Sequence, residues 1–249
     1  MFLNFINDCK GRHLANLTRI AHDRLRECDH LFSEWRISIV GASISEWGLL
    51  ADFMVDNNLY NLSNNKWMVQ NPRIYRNCKL GNWSNISNYA NMIENFFRPL
   101  FEATIYPERP ENVKLALFLK HLSGFDSVDD ESTPDPELTG VNPNDWNGPG
   151  NPNYAYQLYF FWANIFVLNR VRESMGLNVF LFRPHCGESG DVMHLVTGYL
   201  LSNGIAHGIN LQRSLSLQYL YYIDKIGLHF SPSRYTILNT NLFRICLFF

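Results

Sequence analysis

Apolar positions along this chain change their spacing at regular intervals, and each change predicts a new element. Leu14, Leu17, Ile20, Ala21 and Leu25 recur at helical spacing and predict a helix over 13–29. Residues 34–41 read as a strand ending at Gly41, and 45–57 as a helix capped by Ser43 or Ser45. A second strand covers 66–75 and runs into Pro72. Ile93, Phe96, Phe97 and Leu100 share one side of a helix within 82–106. The apolar run 113–122 predicts a strand that leads into an acidic block, Gly124-Phe-Asp-Ser-Val-Asp-Asp-Glu-Ser132. Residues 132–153 are rich in Pro, Asn, Asp and Gly, a loop of a length often found as a lid over a site. A strongly aromatic helix follows at 154–175. The next run is a buried strand from Asn178 through Phe182, entering a tight turn at Arg183-Pro-His-Cys-Gly-Glu188. Helices at 191–201 and 214–225 then alternate with short strands at 205–211 and 227–232. Beyond Arg234 no clear period remains.

Strands alternating with helices predict the α/β class, a mainly parallel sheet with helices outside. Such strands build either an open sheet or part of an eight-stranded barrel. The chain has no Gly-x-Gly-x-x-Gly and no Gly-Lys-Ser/Thr, which weakens a nucleotide-binding doubly wound domain. Hydrophobic residues make up 46% of the chain, enough for a sizeable core. A net charge of -2 offers no electrostatic reason to expect nucleic acid. The five cysteines are widely spaced with no Cys-x-x-Cys pair, which argues against a disulfide framework or zinc ribbon and for a reducing, cytoplasmic setting. The N-terminus reads as too short and too polar for a signal peptide. The most apolar long stretch, 154–168, contains Gln157 and Asn164 and is shorter than a bilayer span, so no membrane is expected. Asn-x-Ser/Thr at Asn16, Asn61, Asn82 and Asn85 reads as chance in an Asn-rich chain.

Three residues carry the candidate chemistry: His185, Glu188 and His207. All fall at the C-terminal ends of predicted neighbouring strands, where a parallel α/β fold keeps its reacting groups. A neutral His is a good zinc ligand, a nearby Glu can pass a proton to a substrate nitrogen, and a second His can orient or deprotonate a water. Cys186 as a nucleophile paired with His207 is an alternative, against a buried, inert thiol. Asp126 or Asp129 faces a polar ligand at a strand end, or else belongs to a solvated acidic loop. His13, His22 and His30 read as exposed or helix-end histidines rather than a ligand cluster, and His194 as structural.

Five blocks, namely 66–75, 99–105, 124–132, 180–188 and His207-Gly208, together resemble AMP deaminases in content, order and spacing over roughly residues 11–232. The resemblance implies a TIM-type (β/α)8 barrel, partial here with about six of eight strand–helix units. It implies zinc-dependent hydrolysis of AMP to IMP and ammonia, in purine metabolism and IMP salvage, by a homo-oligomer when intact. It implies His185 as a Zn2+ ligand, Glu188 as the substrate-contacting acid that protonates N1, and His207 as the histidine acting on the attacking water. Asp126 to Glu131 match the family's strand-four segment beside the purine, with Asp126 and Asp129 as its substrate-binding candidates. Arg73 and Arg183 also match family positions, with no substrate contact assigned.

Two family pieces are absent. No His-x-His pair occurs, and the only Asp-Asp is Asp129-Asp130, inside the acidic block. That leaves His185 alone among the family's zinc ligands, and a lone His does not hold zinc tightly. The expectation is an incomplete barrel domain over 1–232 and a non-homologous tail over 233–249, as intron read-through or an incomplete gene model would produce. The chain alone is expected neither to hold catalytic zinc nor to deaminate AMP. Three descriptions stay open: a fragment of an active enzyme, a degenerate paralogue acting as a non-catalytic partner of the intact enzyme, and a different hydrolase such as one using adenosine. The acidic and aromatic blocks favour AMP over the last.

Overall fold

The computed structural model describes residues 9–81 and 85–229. Its elements alternate as the apolar periods require. Helix α1 (Arg12–Arg26) leads into strand β1 (Ser33–Ser38), α2 (Glu46–Asp56) into β2 (Asn65–Pro72). Helices α3 (Tyr75–Leu80), α4 (Tyr89–Ile105) and α5 (Val113–Leu119) precede β3 (Leu122–Val128). Helix α6 (Tyr154–Ser174) precedes two very short strands, β4 (Leu181–Phe182) and β5 (His185–Cys186). Then come α7 (Met193–Leu201), β6 (Gly204–His207), a 3-10 turn (Ile209–Arg213), α8 (Leu215–Ile223) and β7 (Gly227–His229).

All strand pairs are parallel, in a four-stranded sheet β1-β2-β3-β4 and a three-stranded sheet β5-β6-β7. Strand order follows chain order throughout, without the reversal that marks a doubly wound sheet. No closed barrel forms among the described residues: β1 and β7 each have one ladder neighbour. The two sheets meet within one run of chain, because only Arg183 and Pro184 separate β4 from β5. Pro184 has no N–H to give to the β3 ladder, and the run changes neighbour there. Arg183 N–H still donates to Phe125 O (2.8 Å), whereas Pro184 O accepts from Ala206 N–H (2.9 Å).

Period-two alternation gives the sheet two unlike faces. Trp35, Ile37, Trp67, Val69 and Phe125 turn to the helices and join one apolar core with Trp47, Phe96, Phe97, Phe161 and Leu168. In the same register Arg36 and Asp126 occupy the other face and form an ion pair. Arg183, just past β4, pairs there with Glu34 of β1. Helix packs on helix around the outside, α2 on α5, α4 on α6, α6 on α7 and α7 on α8.

Three predicted elements are corrected. The run 113–122 is not a strand. Leu115, Phe118 and Leu119 are buried at helical spacing, so residues 113–119 coil and the strand begins at Leu122. Asp126 therefore lies inside β3 rather than beyond its end. The predicted strand 205–211 stops at His207, where backbone φ reaches 75° and then 69° at Gly208. Two successive left-handed residues leave the extended region and start the 3-10 turn. The expected strand 227–232 is described through His229, and the expected tail 233–249 lies outside the described residues. Ser45 precedes α2 but makes no side-chain cap bond; the Glu46 carboxylate instead accepts from the N–H groups of Val40, Gly41 and Ala42 (2.8, 3.0 and 2.9 Å). The long loop 132–153 is not free to act as an open lid. Its Pro143 and Trp146 carbonyls accept from Ala90 and Tyr89 N–H, and Val141 O accepts from Tyr156 O–H (2.7 Å).

Candidate active site

His185, Glu188 and His207 come together as the strand-end argument predicts. His185 sits in β5 and His207 ends β6, with Cys186 and His207 as register partners. The two imidazole rings lie 5.1 Å apart. Glu188 follows β5 in the turn, and its Oε2 is 3.7 Å from His207 Nε2. All three side chains are mostly buried yet keep some exposure, His185 at 19%, Glu188 at 18% and His207 at 12%. His207 holds its left-handed backbone, at φ 75°, at a cost of roughly 1–2 kcal/mol.

Two carboxylates of the acidic block are held by cationic partners. Asp126 is fully buried. Its Oδ2 accepts from Arg36 Nε (2.8 Å), and its Oδ1 accepts from His185 N–H (3.0 Å) and lies 3.0 Å from His185 Nδ1. A carboxylate closed off in this way cannot touch a diffusing substrate. Asp129 forms an ion pair with the buried Arg73 guanidinium, which also donates to Asp135 Oδ1 (2.8 Å) and Pro152 O (2.8 Å). Burial pushes the Asp129 carboxyl above its ordinary range, against the pull of Arg73. Of the sequence candidates, His185, Glu188 and His207 thus form one group, while Asp126 stands behind His185 and Asp129 is bound to Arg73.

Several participants were not singled out for this role by sequence reasoning. Glu131 Oε2 accepts from Gly187 N–H (2.7 Å), next to Glu188 in the chain. His194, at the start of α7, lies between two carboxylates: its Nε2 is 2.9 Å from Asp135 Oδ2 and its Nδ1 3.5 Å from Glu131 Oε2. Its ring stacks on Tyr154 at 4.1 Å, and Tyr154 O–H donates to His185 O (2.8 Å). The excess of acid over base in 124–135 was the available signal, since buried carboxylates demand donors. Cys186 is buried, its Sγ donating to His194 O (3.1 Å), and burial pushes its thiol far above the ordinary range, which fits the inert thiol. His22 is buried inside α1 rather than exposed, with Nε2 2.7 Å from Ser63 O.

Among the described residues, no three His, Cys, Asp or Glu side chains gather into a group able to hold a metal ion. Zinc needs three or four protein ligands, so the residues present do not fit it by themselves. No described helix is long and apolar enough to cross a membrane.

Comparison with known proteins gives one answer. A family model described as AMP deaminase matches residues 1–244, and so runs past residue 232. A probable AMP deaminase of Oryza sativa subsp. japonica is 42% identical over 245 residues, covering 98% of this chain and 29% of that protein. An AMP deaminase of Arabidopsis thaliana is 41% identical, covering 98% of this chain and 28% of that protein. AMP deaminase 3 of Homo sapiens is 41% identical over 249 residues, covering 98% and 31%. The chain thus spans about 30% of the length of these curated relatives. A family match over nearly the whole chain places this chain in the AMP deaminase family.

Proposed function

We propose that this chain carries the proton-handling part of a hydrolytic AMP deaminase, the part that acts while AMP is converted to IMP and ammonia. The observation that carries the reading is the Glu188–His207 pair, 3.7 Å apart at the mouth of a parallel sheet. Hydrolytic deamination must deliver a proton to the ring nitrogen as oxygen adds, and must take one from the attacking water. A carboxyl and an imidazole held side by side divide that work. Glu188 is the proton donor to N1, and His207 the group that draws the proton from water. His185 offers a metal-binding nitrogen beside them, and the remaining zinc ligands must come from residues this chain lacks.

The partial (β/α)8 barrel is part of this proposal. Chain-order strand succession supports it, as does the convergence of the two sheets on one polar face: His229 of β7 has its basicity lowered by burial and by Arg183 and by Arg36 of β1. Electrostatic reach between β7 and β1 supports a curled rather than a flat sheet. The absence of a metal-holding group among the described residues also favours a second reading for the isolated chain, a partner that binds without turnover.

The test is a chimera in which residues 11–229 replace the homologous segment of the rice relative. AMP-to-IMP conversion is expected, falling by roughly 10²-fold or more with Glu188→Gln. A folded chimera without turnover, or one indifferent to Glu188→Gln, overturns the assignment.

A further inference from the structure

The acidic block 126–131 is the most heavily charged feature near the site, yet its two most buried carboxylates point into the protein. Asp126 is 0% exposed and Glu131 4%. Each takes a backbone N–H from the run that carries the reacting groups, at residues 185 and 187. These are the donors left over when the β3 ladder ends. The last backbone bond across it is Arg183 N–H to Phe125 O, and Pro184 has no N–H. Past that point side-chain carboxylates replace main-chain carbonyls as acceptors.

We propose that Asp126 and Glu131 are positioning residues, which hold His185 and the turn bearing Glu188 in their working geometry rather than binding the nucleotide. This rests on the reading of His185 and Glu188 as reacting groups. Asp126 acts on the ring as well as the backbone. A carboxylate only accepts, so His185 Nδ1, 2.9–3.0 Å from its oxygens, must be the donor. The Nδ1–H tautomer leaves Nε2 as the basic nitrogen. Arg36 Nε holds the same carboxylate from the opposite side at 2.8 Å. Glu131 acts one step further along. It anchors Gly187 and is backed by His194, which Asp135 and the Tyr154 ring hold in turn. The turn is pressed directly onto the block: a Cβ on Gly190, at φ +69°, would sit 1.8 Å from Glu131 O. Tyr154 takes the remaining polar backbone group of His185, its carbonyl. His185 is thus fixed at N–H, C=O and Nδ1 together.

The experiment uses the 249-residue chain labelled with nitrogen-15, with no nucleotide and no metal. Long-range proton–nitrogen spectra at a pH where the ring is neutral read the His185 tautomer, and hydrogen exchange reads the Gly187 amide. The parent is expected to show the Nδ1–H tautomer and a protected Gly187 amide. Asp126→Asn is expected to shift population toward Nε2–H. Glu131→Leu, which removes the acceptor, is expected to speed Gly187 exchange at least ten-fold and leave the tautomer alone. An Nε2–H tautomer in the parent, or unchanged Gly187 exchange in Glu131→Leu, overturns the proposal, and neither needs Asp126→Asn to fold. Because no turnover is measured, failure here is separate from failure of the deaminase reading.

Discussion

At the scale of single residues, His194 shows how charge survives in a buried place. Burial alone lowers the basicity of an imidazole; hydrogen bonds to Asp135 and Glu131 outweigh it and raise the pKa from 6.5 to about 9. Burial opposes ionisation of Asp135 too, and its hydrogen bonds to His194 and Arg73 bring it down to about 2. Because the folded pKa of His194 lies above its unfolded value, the stability it contributes is fully present below pH 6.5 and is lost as pH rises through about 9. The amount is at most about 3 kcal/mol. Urea denaturation of the chain at pH 6 and pH 9.5, beside His194→Gln, measures it. The parent's stability should fall more over that interval than the variant's, and parallel curves would refute the charged histidine. His194 could be read from sequence only as structural, because Asp135 and Glu131 lie 59 and 63 positions away.

At the scale of elements, β3 ties the sheet to its helices. Phe125 is fully buried, 5.1 Å from the Phe180 ring, 5.8 Å from Phe96 and 6.4 Å from both Trp47 and Phe97. One residue on, Asp126 serves the opposite, polar face. Period two thus puts the core and the support for His185 on adjacent residues of one strand. Phe125→Ala should cost about 3–5 kcal/mol, and Phe125→Leu less than about 2 kcal/mol. Equilibrium unfolding midpoints check this, and equal losses for the two would mean the aromatic cluster is not what Phe125 stabilises. The alternation of strands and helices was legible because amphipathic spacing is local. The helix at 113–119 was not, since seven residues of Val, Lys, Leu, Ala and Phe suit either a buried strand or a short helix. Packing of α5 against α2 decides between them.

At the scale of the whole molecule, a parallel sheet carries His185, Glu188 and His207 at its C-terminal end, with no described metal-holding group to complete a zinc site. A ligand that binds only the folded state raises stability by RT ln(1 + [L]/Kd), about 2.7 kcal/mol at a hundred times Kd. For a chain of this size that is several degrees in unfolding temperature. Purified chain should therefore contain well under one zinc per molecule, and EDTA should move its unfolding temperature by less than about 1 °C. Stoichiometric zinc with a drop of several degrees on chelation would show that the chain holds the metal after all.

Sequence by itself determined the alternation of strands and helices, apart from the 113–119 helix, and the three residues that meet at the sheet end. Apolar spacing of two or 3.6 residues sets the first, and the placing of polar residues just after buried strands sets the second. Tertiary structure alone decided what each carboxylate does. Asp126 and Asp129 are alike as acidic residues beside a strand, and the family resemblance set both beside the substrate. Strand register places one behind His185 with Arg36, and loop packing places the other on Arg73. A carboxylate's role depends on which donor reaches it, and these donors lie between 56 and 90 positions away along the chain. Only folding brings them within 3 Å or so of each other.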